Sequence, residues 1–466
     1  MLVEPEKHES NSEKMDGMQN SASNPSRNAS PGPELSPELR SALSGHTSPG
    51  RDSLGLYFSI PFCRAKCTYC NFASGVYPAS DHNRYVDRLI ADLNAAPAWA
   101  EAMHAELPGK VDTIYFGGGT PVLLAPELFT QIFAEIRNRF SLTSGAEITV
   151  ECAPAQLTDA TLASMAEAGV NRVSLGVQSF IDREAALSGR LHTRAQVLDD
   201  LRRLRAAGIA NLNIDLLAGL AEQTQASWRE SLAVLLDTGV PHASVYMLEI
   251  DEESRLGREL IAGGARYSAG LVPSDDAIAQ MYEEAVTAYA SAGLRQYEIS
   301  NFAREGQESR HNLRYWLRKP YLGFGLDASS MLLSSDGQDD GQDIDRDIGM
   351  VLRVTTTDDL NEYLSGAATH ETAWLGPTQQ LEEAWFLGLR RNAGVDVKAL
   401  RKEFGAEAVK LSIAVARRLA EDGLLTIDRD AIRLTDRGRL ISNDVFAEFL
   451  GLATVNETDR VSAIAN

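Results

Sequence analysis

Tyr57-Phe58-Ser59-Ile60-Pro61-Phe62-Cys63-Arg64-Ala65-Lys66-Cys67-Thr68-Tyr69-Cys70-Asn71-Phe72 is the stretch that decides how the rest of the chain is read. It holds three of the four cysteines in 466 residues, spaced CxxxCxxC directly after an apolar, β-like run. An odd number of thiols on one loop, with Cys152 far away, makes no disulfide framework. Closely spaced thiolates suit a soft metal centre instead. A structural zinc site closes with four ligands, and no histidine or further cysteine lies nearby to supply the fourth. Three thiolates fit a [4Fe-4S] cube that keeps one iron open to an exchangeable ligand. The alternatives are a loop of buried cysteines or an incomplete zinc site.

Upstream, Met1 to Arg51 is rich in Ser, Asn, Pro, Gly and Glu. Such a segment cannot bury enough apolar surface to offset its ordering entropy, so residues 1–52 read as a disordered tail. No basic-then-apolar leader and no apolar run of membrane-spanning length is visible, so a cytoplasmic, non-membrane-spanning protein is expected. The few cysteines agree with a reducing compartment. The 65 acidic residues outweigh the 44 basic ones, a net charge of −21, which disfavours a phosphate-backbone footprint and hence nucleic acid as partner.

Downstream, short β-branched runs alternate with amphipathic stretches. Strands are expected at Leu56–Ile60, Thr113–Phe116, Glu147–Glu151, Arg172–Val177, Asn211–Leu217 and His242–Leu248. Helices are expected between them, such as His82–Ala95, with Tyr85, Leu89 and Leu93 on one face, and Thr193–Ala207, with Thr193 as N-cap. Repeated β-then-α order implies an α/β fold with a parallel sheet, in which chemistry gathers at the C-terminal strand ends. The conspicuous polar residues fall there. Gly117-Gly118-Gly119-Thr120-Pro121 follows the second strand, where glycines admit close approach of a ligand to the backbone. Glu151 ends the third strand; strand alternation then turns Cys152 away from it, into the core. Gln178, Arg190 and Asp215 follow, and an amide, a guanidinium and two carboxylates suit a zwitterionic ligand carrying a ribose.

The CxxxCxxC loop, with an aromatic before its last cysteine, resembles the radical S-adenosylmethionine (SAM) superfamily. Tyr57-x-x-Ile60-Pro61-Phe62-Cys63 resembles the oxygen-independent coproporphyrinogen III oxidase-like family within it, and the likeness runs from Leu54 to about Leu450. It implies a partial (β/α)6 barrel over residues 53–300, an extension over 301–376, a C-terminal α+β winged-helix-like domain over 377–450 and a tail over 451–466. It also implies a [4Fe-4S] cluster on Cys63, Cys67 and Cys70, and SAM contacts from Tyr57, Tyr69, Gly118, Gly119, Thr120, Glu151, Gln178, Arg190 and Asp215. Gln178 and Asp215 would take the ribose hydroxyls and Arg190 the methionyl carboxylate.

Two branches of this family differ in the second residue after Cys70. True oxidases resemble CxxxCxxCxC, whereas Phe72 stands at that place here, as in the heme-chaperone branch. His311-Asn312-Leu313-Arg314-Tyr315-Trp316 matches that branch's HNxxYW signature, which makes His311 either an axial heme ligand or a fastener of the barrel's last segment. Heme and a heme-acceptor protein are then the expected partners. Two segments depart from the family: Ala221 replaces the proline expected after Gly219-Leu220, and Gly323 to Ser329 lacks a customary Gly-Ala-His. Ser334 to Asp347 reads as an acidic surface loop.

Overall fold

The computed structural model describes residues 52–335, 349–366 and 370–452. Most of the expected N-terminal tail, acidic loop and C-terminal tail lies outside the described residues. The sheet is built around β1 (Leu54–Ile60), in which Leu54, Leu56, Phe58 and Ile60 are fully buried. Such a strand needs cover on both faces. It pairs in parallel with β2 (Lys110–Gly118), which continues in parallel through β3 (Ser141–Cys152), β4 (Arg172–Gln178), β5 (Asn211–Ala218) and β6 (His242–Met247). Helices Ala79–Ala102, Pro126–Arg139, Asp159–Ala168, Arg194–Ala206 and Gln225–Asp237 make the crossovers. These are the six expected strands.

The edges add what periodicity did not announce. β7 (Asn301–Ala303) pairs antiparallel with β6, while β8 (Tyr321–Phe324) is a seventh parallel strand on the other side of β1. β9 (Ser329–Ser334), β10 (Val351–Thr356) and β11 (His370–Leu375) extend that side antiparallel, so the sheet stays open at both ends.

Helix Ala79–Ala102 buries Tyr85, Leu89 and Leu93, the face expected from their spacing. Phe116, Phe129 and Phe133 stack between sheet and helix, with centroids about 5 Å apart. Each such side chain contributes about 1.5–3 kcal/mol by leaving water. Thr193 stands at the N-cap of its helix, where its backbone N–H donates to Gln196 Oε1 at 2.9 Å and its hydroxyl donates to the same oxygen at 3.1 Å. The turn that lacks the family proline is stitched instead by Gln223, whose Oε1 accepts from Gly219 N at 2.6 Å and Leu220 N at 3.2 Å.

The C-terminal part has a core of its own around Trp385, Phe404, Val409 and Phe449, joined by Ile299 from beside β7. Helix Pro377–Arg390 leads to β12 (Val395–Asp396), helices Val397–Phe404 and Lys410–Glu421, and the hairpin β13 (Leu425–Asp428) with β14 (Ala431–Leu434). This is the order of a winged-helix fold. Val395 and Asp396 pair with β14, and the helix starts only at Val397 because Asp396 caps it, accepting from Ala399 N at 3.0 Å.

Candidate functional site

The cysteine loop leaves the end of β1 and closes on itself. Cys63 N donates to Gly75 O at 2.8 Å and Gly75 N to Pro61 O at 2.9 Å. Its tip is tied outward by Thr68 N to Ser188 O (3.0 Å) and Leu256 N to Thr68 O (2.8 Å). The glycine loop after β2 lies against it, with Gly119 N donating to Ile60 O and Thr120 N to Phe62 O, both at 2.8 Å. A Cβ at Gly119 would stand 2.8 Å from both of those carbonyl oxygens, so only glycine allows this approach. Cys63, Cys67 and Cys70 are free, half-buried thiols that line one cavity of about 910 Å³. The Thr120 hydroxyl lies 3.9 Å from the Cys63 sulfur, and the Ser74 hydroxyl 3.9 Å from that of Cys70. Burial pushes the Cys63 thiol up, a bias that a bound cation reverses. Among the described residues no three Cys, His, Asp or Glu groups converge tightly enough to hold a single metal ion. The three sulfurs line one shared cavity.

The facing wall comes from successive strand ends. Glu151 accepts from Tyr115 Oη at 2.9 Å, and burial raises its carboxyl to about 7. Arg190 donates to Tyr69 Oη at 3.0 Å; burial opposes its charge, but Tyr69, Cys67 and Asp215 hold the guanidinium protonated. Its Nε has no partner. Gly176 makes room for it, because a Cβ there would lie 2.8 Å from Arg190 Nη2. Gln178 sits at φ +69, a left-handed conformation costly for a residue with a side chain and found where a site over-determines the backbone. Asp215 accepts from Ser174 Oγ at 3.1 Å and Asn213 Nδ2 at 2.7 Å, while burial raises its carboxyl. The cavity is thus lined by Tyr69, Gly118, Gly119, Thr120, Glu151, Gln178, Arg190 and Asp215 together with the three cysteines. An orphaned guanidinium nitrogen and two buried carboxylates are what a zwitterion would satisfy.

Tyr57 is placed differently. It is absent from the cavity lining and stacks on Tyr115 at 6.1 Å and His311 at 6.4 Å, acting behind the wall. Cys152 also borders the cavity, but it is only 2 % exposed, it packs in the hydrophobic core, and its sulfur contacts its neighbour's carbonyl, Ala153 O, at 3.5 Å.

His311 is buried and is absent from the cavity lining. The ring is 1 % exposed, with Nδ1 2.9 Å from Thr113 Oγ1 and Nε2 2.8 Å from Tyr315 Oη. Its backbone N–H also donates to Glu147 at 2.9 Å. Both ring nitrogens are engaged by hydroxyl groups, the arrangement that the fastener reading requires.

Sequence reasoning missed Tyr115, which holds Glu151, and the Ser174–Asn213 pair that holds Asp215. Their signal was available: each shares the strand phase of a residue already singled out. It also missed the far end of the cavity, lined by Tyr246, Tyr282, Ile299, Arg390 and residues 440–444. Tyr246 comes from β6, Tyr282 and Ile299 from the segment after it, and Arg390 and residues 440–444 from the C-terminal part, and nothing local marks them.

Comparison with known proteins agrees with this geometry. The radical SAM superfamily profile matches residues 57–235, and that of the HemN C-terminal domain matches residues 375–441. The heme chaperone HemW of Lactococcus lactis is 33 % identical over 397 residues, covering 84 % of this chain and 96 % of that protein. The chain belongs to the HemW family of radical SAM proteins. HemW of Bacillus subtilis is 32 % identical over 403 residues, covering 85 % and 98 % of the two chains. Among solved structures, the coproporphyrinogen III oxidase HemN of Escherichia coli superposes with a TM-score of 0.71 at 21 % identity, covering 88 % of this chain and 93 % of that one, which establishes the shared fold. Among the described residues, no helix is long and apolar enough to cross a membrane.

Proposed function

We propose that this protein is a heme chaperone of the radical SAM type, which binds a [4Fe-4S] cluster, SAM and heme and passes heme to an acceptor protein. The observation that carries it is the convergence on one cavity of Cys63, Cys67 and Cys70 with Glu151, Gln178, Arg190 and Asp215, in a chain a third identical to HemW of Lactococcus lactis along almost the whole of that protein.

In this reading Cys63, Cys67 and Cys70 would hold the cluster, with the amino-acid end of SAM beside it. When bound and reduced, the cluster supplies the electron that splits SAM into methionine and a 5′-deoxyadenosyl radical. Arg190 pairs with the methionyl carboxylate. Glu151, once ionised, pairs with the ammonium, and the Gly118–Thr120 backbone approaches the same end. Gln178 and Asp215 orient the ribose, Asp215 being pre-aimed by Ser174 and Asn213. Tyr69 braces Arg190 from the cluster side. Residues 53–300 form the SAM-binding barrel, 301–376 its extension, and 377–450 a module that closes the cavity rather than reading nucleic acid, given the whole chain's net charge of −21.

Phe72 speaks for chaperone over oxidase. It is 60 % exposed and lines the cavity at the position where an oxidase would carry a further cysteine. The test is anaerobic reconstitution followed by separate titrations with SAM, heme and coproporphyrinogen III. Heme binding without porphyrinogen turnover is expected. Multiple-turnover decarboxylation of coproporphyrinogen III would make the protein a dehydrogenase, and a cluster that neither binds heme nor supports SAM cleavage would leave it a binding module only.

A further inference from the structure

The cavity is longer than the SAM site. Its cysteine end carries Lys66 and Arg190; its far end is lined by Tyr246, Tyr282, Ile299, Leu440 and Ile441, with one cation, Arg390. Tyr246 and Ile441 are large apolar side chains exposed at 42 % and 39 %, a surface on which a flat apolar ring system could lie.

Arg390 is the last residue of helix Pro377–Arg390 and is held from two sides. Its guanidinium lies 4.4 Å from the centroid of the Trp316 ring, and Nη2 is 3.9 Å from Oε2 of the fully buried Glu298. The other Glu298 oxygen, Oε1, accepts from Ser300 N at 3.0 Å and from Asn301. The buried Arg390 Nε–H has no partner. A planar fork with one edge fixed and Nε unsatisfied is arranged to receive a carboxylate. Glu249 and Asp444 line the same end but are exposed, so solvent screens them. Trp316 closes the HNxxYW signature whose histidine is locked into the sheet.

We infer that the far end of the cavity is the tetrapyrrole site, in which Arg390, propped by Trp316, takes a heme propionate. The inference rests on the chaperone reading and gives the signature a task on the carboxylate side of heme rather than at its iron. Arg390 is then a binding residue and Trp316 a positioning residue.

The experiment compares heme with heme dimethyl ester, whose propionates carry no charge. Reconstituted wild type should bind heme about tenfold or more tighter than the diester, the scale of one charge-assisted hydrogen bond. That preference should collapse in Arg390→Gln. It should be partly kept in Arg390→Lys, which still pairs with Glu298, and reduced in Trp316→Leu. Unchanged iron and sulfide content and circular dichroism establish that the variants are folded; should Arg390→Gln not fold, the wild-type and Arg390→Lys comparison decides. An equal preference in wild type and Arg390→Gln overturns the inference while leaving heme binding intact. A loss of bound SAM in Arg390→Gln, with heme unaffected, overturns it in favour of an amino-acid carboxylate. Failure of wild type to bind heme at all removes the chaperone reading and this site with it.

Discussion

The Tyr115 hydroxyl donates to Glu151 Oε1 at 2.9 Å, across neighbouring strands β2 and β3, and so partly offsets the burial that lifts this carboxyl from 4.5 to about 7. The sign of the pH dependence follows. A carboxyl raised in the folded state favours the protonated native protein, so its contribution to ligand-free stability is full below 4.5 and is lost as pH rises to about 7. Pairing with an ammonium needs the ionised form. SAM affinity should therefore rise by about tenfold per pH unit below the midpoint and level off above it. Tyr115→Phe should move that midpoint upward, and Glu151→Gln should flatten the profile. Equilibrium binding across this range measures all three; a sloping profile in Glu151→Gln would place the titrating group elsewhere.

The four cysteines should separate cleanly. Cys63→Ser, Cys67→Ser and Cys70→Ser each break a ligand set lining one cavity and should lose stoichiometric iron and sulfide on anaerobic reconstitution. Cys152 packs in the core with its sulfur turned to Ala153 O, so Cys152→Ala should keep the cluster at a cost of about 1 kcal/mol or less. Loss of iron in that variant would mean that Cys152, which borders the same cavity, takes part in holding the cluster.

Strands β1 to β6 were legible because burial imposes a period that hydropathy displays. The expected Arg172–Val177 is observed as Arg172–Gln178. The expected Glu147–Glu151 grows to Ser141–Cys152, since the added Ser141 to Gly145 are partly or fully exposed and, with Leu142 the one apolar residue among them, show no apolar alternation. The seventh parallel strand, Tyr321–Phe324, has only four residues and gains its place from β1 beside it rather than from its own sequence.

Site residues on strand ends were legible for a related reason: a charged residue in an apolar run needs a purpose. What was not legible depends on partners remote in sequence. Nothing within His311–Trp316 tells that Thr113 takes one histidine nitrogen, or that Trp316 supports Arg390. Gln178, by contrast, was visible as a strand-end amide, although its left-handed backbone was not.

Three glycines should respond differently to alanine. Gly119→Ala drives a Cβ against two backbone carbonyls that cannot yield, so it should cost about 1–3 kcal/mol and impair cluster retention. Gly176→Ala meets the end of Arg190, which can move, so the fold should persist while SAM affinity falls about tenfold as that guanidinium is displaced. Gly109 has nothing within 4 Å of a built Cβ, and Gly109→Ala should stay within about 0.5 kcal/mol of wild type. Thermal unfolding together with SAM titration separates the three outcomes; equal effects at Gly119 and Gly109 would contradict the packing of the glycine loop on the cysteine loop.

His311 should behave as a structural residue with an acid-sensitive signature. Burial and the nearby Arg314 and Arg172 hold its imidazole at about 3, below the usual 6.5, so the folded protein keeps it neutral. A depressed pKa contributes stability that is full above 6.5 and is lost as pH falls toward 3. His311→Ala leaves the Thr113 and Tyr315 hydroxyls without this partner and should cost about 1–3 kcal/mol near neutral pH. The variant should also lose less stability than wild type between about pH 7.5 and pH 5, a window that brackets the unfolded imidazole's 6.5. Denaturant unfolding at those two values tests this, and the heme Soret band read beside it should match wild type. A shifted Soret band in a folded His311→Ala protein would return that imidazole to the iron and require the buried ring to swing free of Thr113 and Tyr315.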